Sequence, residues 1–302
     1  MTFHPQVTVI VPMFNARRTI ARALSSVFAQ TYRNFEVVVV DDGSTDDSVP
    51  IVREQFGDAR LLAQSNAGPS SARNRAASVA RGEFLAFLDA DDQWHRRKLE
   101  LQVSAFQRFP AAALCATSPS IQAADGPWSF EPDAPVDSPD DIEAIRFEQL
   151  FVNPYLGTPT VMMQRHVFEA CGGFDERLHG AEDVDLWLRA SYRRSAIRLR
   201  AALVGVARSD SSLTARRGHE TDLDNLRVID KFVQEHPEFA AEFNDVVRGA
   251  LASVKTRMGS GLLTHGDRRS ARHMLASALR DRLLSPRAMY LLLKTWIPAG
   301  RE

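Results

Sequence analysis

Apolar residues in the first ninety positions fall into short unbroken runs separated by helical stripes. Val7-Thr8-Val9-Ile10-Val11 is a β-branched run closed by Pro12 and reads as a strand. Arg17 to Gln30 carries Ile20, Leu24, Val27 and Phe28 at helical spacing. Phe35 to Val40 is a second strand, followed by Asp41-Asp42-Gly43-Ser44-Thr45-Asp46, a turn and N-cap for a helix reaching about Phe56. A short strand over Arg60 to Leu62 comes next, then a helix opened by Pro69 and stopped at Gly82. Phe84 to Leu88 is the continuous apolar run of a strand buried on both faces, and it ends at Asp89-Ala90-Asp91-Asp92.

Strand and helix alternating with short connections predict a doubly wound, mostly parallel sheet. Such sheets bind ligands beyond the carboxyl ends of their strands. Three polar loops lie on that edge: Pro12 to Asn15, Asp41 to Ser44 and Asp89 to Asp91. The carboxylates of the last loop are either a solvated, helix-capping turn or a concentration of charge that a cation neutralises. Asp92 is expected to cap the helix that begins near Lys98, and Trp94 to pack.

Further along, Ala111 to Ala116 and Thr160 to Met163 read as strands, with a variable loop over Ser118 to Asp141. Leu186 to Tyr192 reads as a helix behind Glu182-Asp183. Beyond Glu220 the pattern is helical to Trp296, with breaks near Gly259 to Gly266 and at Pro286. Arginines from Arg268 to Arg287 accompany Met289 to Leu293 and Trp296, either a packed appendage or a membrane-surface patch.

At 302 residues the chain exceeds one typical domain. A net charge of −1 argues against nucleic acid as a partner. Cys115 and Cys171 make neither a disulfide framework nor a zinc site, and no leader pattern precedes Val7, so a cytoplasmic location is expected. No apolar run approaches the ~20 residues of a membrane span, which leaves a soluble or peripheral protein. The first strand is followed by Pro12-Met13-Phe14-Asn15 rather than G-x-G-x-x-G or a P-loop. Without that glycine-rich cradle a bound phosphate needs a metal ion, which Asp89-x-Asp91 is suited to hold.

Six segments in order resemble the family 2 glycosyltransferases of the GT-A fold. They are Val9 to Asn15, Ser26 to Tyr32, Val40 to Asp46, Ala72-Arg73-Asn74, Gly82 to Asp92, and Gly172 to Glu176 with Glu182 to Trp187. The resemblance covers roughly residues 5 to 215 and implies a Rossmann-like α/β catalytic domain over 1–218. About 5–95 would be the nucleotide-binding half and about 96–218 the acceptor half, with a helical region over 219–302.

The same resemblance implies the roles. Pro12, Phe14, Asn15 and Asp42 would hold the nucleotide base, Asp42 accepting the N3–H of uracil unless it is only a turn or N-cap residue. Arg73 would reach the base or a phosphate, its alternative being a solvated helix face. Asp89 would contact ribose or metal-bound water, and Asp91 would ligate Mg²⁺ or Mn²⁺ in a DXD motif. Asp183 matches the catalytic base, with Glu182 and Asp185 as its nearest rivals. Where relatives often carry Tyr-Arg-x-His, this chain has Val206-Ala207-Arg208-Ser209, so Arg208 or Arg216 would substitute for the missing histidine. The implied activity is inverting, metal-dependent transfer from a nucleotide-sugar donor, UDP-linked, to a carbohydrate, lipid-linked or protein acceptor. The alternatives are an inactive nucleotide-sugar-binding module and a nucleotidyltransferase.

Overall fold

Strand β1 (Val7–Met13) is buried at all seven positions and sits inside a sheet between β2 (Phe35–Asp41) and β4 (Phe84–Phe87), parallel to both. β3 (Arg60–Ala63) extends the parallel set on the far side of β2. The computed structural model describes residues 4–123, 130–131, 133, 141–208 and 218–296. β1 runs on through Pro12, where the sequence predicts an end. Its ladder with β4 closes where Leu88 N donates to Ile10 O at 3.0 Å, so a proline two residues later forfeits no ladder bond.

Past β4 the sheet becomes mixed. β8 (Met162–Gln164) pairs antiparallel with β4 and with β6 (Ala112–Ala123), and β6 runs parallel to β9 (Ser195–Arg208). β5 (Gln93–Trp94) and β7 (Ile142–Ala144) both lie antiparallel to β9. The order is β3-β2-β1-β4-β8-β6-β9-β5, with β7 also on β9, nine strands among the described residues. β6 reaches well past Ala116 into the stretch predicted as loop. Pro119 is accommodated beside register shifts in the β6–β9 ladder.

Helices α1 (Ile20–Phe28), α2 (Ser48–Gln55), α3 (Pro69–Ser78) and α4 (Lys98–Arg108) make the crossovers and cover the sheet. Ile20, Ala23, Leu24 and Val27 of α1 recur at three- and four-residue spacing and are all buried. Asp92 does not cap α4. Its N-cap position is Arg97, and Asp92 instead accepts from Ala207 N of β9 at 2.8 Å, a partner 115 residues away that no local rule supplies. Trp94 is fully buried, as predicted.

Cα packing divides the chain into two units. The first takes in the described residues to Ile145, then Leu156–Glu176, and the run from Asp185 through β9. It includes α6 (Arg165–Ala170) and most of α7 (Glu182–Ser191). The second takes in Arg146–Tyr155, Arg177–Val184 and the carboxyl-terminal helices. Those helices are α8 (Gly218–Glu235), α9 (Pro237–Glu242), α10 (Asn244–Thr264), α11 (Arg268–Asp281) and α12 (Pro286–Lys294). Helix α5 (Phe147–Val152) places Phe147 and Phe151 against Phe232 and Phe239, with ring centroids 5.1–5.5 Å apart.

The break predicted near Gly259 to Gly266 falls at the far end of that stretch, where α10 stops at Thr264 and the chain turns at Gly266, at φ 81°. A Cβ at Gly259 would stand 2.6 Å from Leu275 Cγ of α11, so that glycine admits a neighbouring helix rather than ending its own.

Candidate functional site

The carboxyl ends of β1 and β2 are joined by side chains from their loops. Asn15, at φ 49°, accepts from Thr45 N through Oδ1 at 2.8 Å, while its own N–H donates to Ser44 Oγ at 2.9 Å. Asn readily adopts this left-handed conformation. Gly43, at φ 82°, makes the turn that brings Ser44 and Thr45 back to that loop. Pro12 is buried in β1, and Phe14 stands half exposed beside the turn.

Asp42 is buried and does not cap α2. One carboxylate oxygen accepts from Gln64 Nε2 and Ala67 N, the other from Gly68 N, each at 2.8 Å. These bonds hold the segment entering α3 against the end of β2. A carboxylate offers about four lone-pair sites, so one direction remains for an incoming N–H.

Arg73 projects from α3 and is 5% exposed, which excludes a solvated helix face. Its Nη2 donates to Asp89 Oδ1 at 2.7 Å, and its guanidinium lies 5.3 Å from the Phe174 ring centroid. Helix α3 and the turn after β4 are thereby locked together.

Asp91 keeps an exposed face, but the surrounding chain and the neighbouring Asp89 charge push its carboxyl up to about 6. Burial, then the charges of Asp89 and Asp91, drive Asp92 well above the usual carboxylate range. Arg22, a residue the pattern did not single out, donates from Nη2 to the Asp91 carbonyl at 3.0 Å.

A rim at which burial and neighbouring carboxylates both oppose ionisation is short of positive charge. Its donors are hard oxygens, so the set fits Mg²⁺ or Mn²⁺. Among the described residues no group of three or more His, Cys, Asp or Glu could hold a metal ion. The remaining ligands would therefore come from phosphate and water. Arg208 follows the Ala207 that Asp92 anchors, so its backbone lies beside this turn; Arg216 and Ser209 fall outside the described residues.

On the same unit, Asn74 fastens the loop after α6. Its Oδ1 accepts from Phe174 N, and its Nδ2 donates to Phe174 O and Glu176 Oε1, all at 2.9 Å. Asp185 is buried and accepts from Arg189 Nε at 2.8 Å, while Arg189 Nη2 donates to Gly173 O at 2.9 Å.

Glu182 and Asp183 belong to the second unit and open α7, both half-buried. Asp183 Oδ1 accepts from Val184 N at 2.7 Å. Nearby in that unit, His179 N donates to Asp224 Oδ2 at 2.7 Å, tying this segment to α8.

The family model Glycosyl transferase family 2 matches residues 8–172, more than half of the chain. Over 101 residues the chain is 46% identical to an Escherichia coli protein, the UDP-Glc:alpha-D-GlcNAc-diphosphoundecaprenol beta-1,3-glucosyltransferase WfgD, covering 32% of this chain and 40% of that one. The chain spans 40%, 63% and 33% of three curated relatives, less than two thirds of each.

Among solved structures, Staphylococcus aureus TarS 1–349 in complex with UDP-GlcNAc is similar with a TM-score of 0.59 at 20% identity, over 96% of this chain and 89% of that one. The mannosyltransferase PcManGT from Pyrobaculum calidifontis, in complex with GDP-Man and Mn²⁺, is similar with a TM-score of 0.63 at 22% identity, over 97% and 80%. At these identities the likeness concerns the fold, which is GT-A.

Proposed function

Because this chain belongs to glycosyl transferase family 2, we propose that it transfers a sugar, with inversion, from a UDP-sugar to an acceptor hydroxyl. The observation that carries this reading is the convergence of the loops after β1, β2 and β4 on one sheet edge, with Asp42, Arg73 and Asp89 fixed there by side-chain contacts and Asp91 held through its backbone carbonyl by Arg22.

Asp42, held by Ala67 and Gly68, accepts the uracil N3–H with its remaining lone pair. Phe14 offers an exposed ring face to the base, and Pro12 and Asn15 shape the wall beside it. Arg73 keeps Asp89 oriented toward the ribose, and its charge favours the donor phosphates. Asp91, with phosphate oxygens, would hold Mg²⁺ or Mn²⁺, which when bound offsets the charge on the leaving diphosphate. Arg208 supplies further positive charge in place of the missing histidine.

Asp183 takes the proton from the attacking hydroxyl. Its rival Asp185 is committed to Arg189, which leaves Glu182 as the alternative. Attack opposite the diphosphate inverts the anomeric centre, so an α-linked donor gives a β-linked product. The donor in WfgD's name and the nucleotide sugar bound to TarS support UDP, and the Mn²⁺ of PcManGT supports a divalent ion. The acceptor is a carbohydrate, lipid-linked or protein hydroxyl, and the diphosphoundecaprenol acceptor in WfgD's name supports the lipid-linked one.

Calorimetry with UDP, with Mn²⁺ and then with chelator, tests the donor side. The expected result is metal-dependent binding that Asp91→Ala abolishes while thermal unfolding stays near wild type. UDP binding equally tight in chelator would overturn the metal assignment, and no binding of any uridine nucleotide would overturn the donor.

A further inference from the structure

Helix α12 has two apolar faces, and among the described residues only one of them is packed. Ala288 is buried, and Leu291 and Leu292 pack with it on Leu275 and Ala278 of α11. On the outer side Met289, Leu293 and Trp296 follow one another at four and three residues, which aligns them along one stripe. They are 48%, 67% and 67% exposed. The turn before the helix carries Leu283 and Leu284 at its tip, 76% and 83% exposed, the two most exposed large hydrophobics among the described residues.

The charge around this surface is one-sided. Residues 268–296 hold seven arginines and lysines and one acid, Asp281, in a chain whose net charge is −1. That acid is already paired with Lys255 Nζ at 2.5 Å. Two of the cations lie over aromatic rings of the same surface: Arg272 is 3.7 Å from the Trp296 centroid, and Lys294 is 4.8 Å from that of Tyr290. Cations stacked beside amphipathic rings suit a boundary where apolar bodies enter hydrocarbon and charged tips stay among headgroups.

We propose that the Leu283-Leu284 turn and the outer stripe of α12 dock on an anionic lipid surface. The helix has nine residues, and no helix among those described is long and apolar enough to cross a membrane, so it lies in the interface plane. A second copy of the chain is disfavoured, because a two-fold contact would set this basic surface against itself. The inference is independent of the transferase reading, since it uses no residue of the nucleotide edge.

Sedimentation with phosphatidylglycerol–phosphatidylcholine vesicles, and with pure phosphatidylcholine vesicles, tests it on the full chain. Binding to the anionic vesicles at low salt is expected, falling severalfold at roughly 0.5 M salt as screening shortens the reach of the arginines. The pair Leu283→Asp with Leu284→Asp, and separately Arg287→Glu with Lys294→Glu, should each lower the bound fraction about tenfold. All four side chains are exposed, so circular dichroism should stay at wild type; if one pair fails to fold, the other decides. No binding to anionic vesicles at low salt, or binding unchanged in the folded variants, overturns the proposal. A dimer in light scattering that the leucine pair dissolves would overturn it by giving the surface to a second copy.

Discussion

Asp42 uses three of the lone-pair directions of its carboxylate on the chain itself, through Gln64, Ala67 and Gly68. Replacing it by Asn leaves one acceptor oxygen and turns an NH₂ group toward backbone donors. Asp42→Asn is therefore expected to cost about 1–3 kcal/mol of stability, read by chemical denaturation. It should also weaken UDP by roughly tenfold or more, equivalent to about 1.4 kcal/mol, read by calorimetry. Unchanged UDP affinity would remove Asp42 from the nucleotide site. Asp183→Asn should behave differently: UDP and Mn²⁺ binding retained, transfer reduced on the order of 10² or more, and the wild-type product inverted. A product of retained configuration, or near-normal turnover by the variant, would sink the base assignment. Asp42, Asp89 and Asp91 were legible because carboxylates interrupt apolar runs at strand ends. The links that fix the site were not: Asn15 to Thr45, Arg73 to Asp89, and Asp92 to Ala207 all join residues remote in sequence.

Between residue and sheet, α4 contains a feature its sequence conceals. Lys98 opens the helix and is fully buried, its Nζ 4.1 Å from the Trp94 ring centroid and donating to Gln102 Oε1 at 2.7 Å. Gln102 in turn donates to Cys115 O at 2.7 Å and to Thr160 O at 3.1 Å. A lysine in a first helical turn reads as solvated, and only the tertiary packing of β5 over it reveals otherwise. Burial lowers the Lys98 ammonium from 10.5 to about 7. Between those values the unfolded chain binds more protons than the folded one, so stability rises with pH. Burial also lifts the Cys115 thiol from 9.0 to about 12, which opposes the trend above pH 9. The window is thus pH 7 to 9, where the Lys98 contribution should approach ~1.4 kcal/mol per pH unit at most. Lys98→Met should flatten the difference, and equal slopes for variant and wild type in urea unfolding would show that Lys98 is not desolvated. Elements that obey one simple period, β1, β2, β4 and α1, were readable from pattern alone. β9 was not: Arg198 and Arg200 interrupt its apolar run to meet Glu143, with Arg200 Nε 2.9 Å from Glu143 Oε2.

For the whole chain, the question is where it can be cut. The family resemblance implies a catalytic domain over 1–218 and a helical region over 219–302. The second unit draws Arg146–Tyr155 and Arg177–Val184 out of that earlier stretch. Phe151 is 2% exposed, and its ring meets those of Phe232 and Phe239 at 5.3 and 5.1 Å. Phe147 meets the same two rings at 5.5 and 5.3 Å. In a fragment of residues 1–217 both would lose those partners, and so would Val152, whose side chain lies where a Cβ on Gly249 would touch it at 3.6 Å. Large aromatic side chains each bury 150–250 Å² or thereabouts, so the fragment would show water a contiguous apolar patch of the kind that drives association. The fragment is therefore expected to precipitate, or to bind a hydrophobic dye more strongly than the full chain does. In the full chain, Phe239→Ala should cost roughly 3–5 kcal/mol through the same cluster, measured by denaturant unfolding. Changing Phe147 and Phe151 to Ser should restore solubility to the fragment, because it removes the exposed rings without touching the nucleotide edge. A soluble, cooperatively folding 1–217 fragment with both phenylalanines in place would instead assign α5 to the first unit and return the boundary to residue 218.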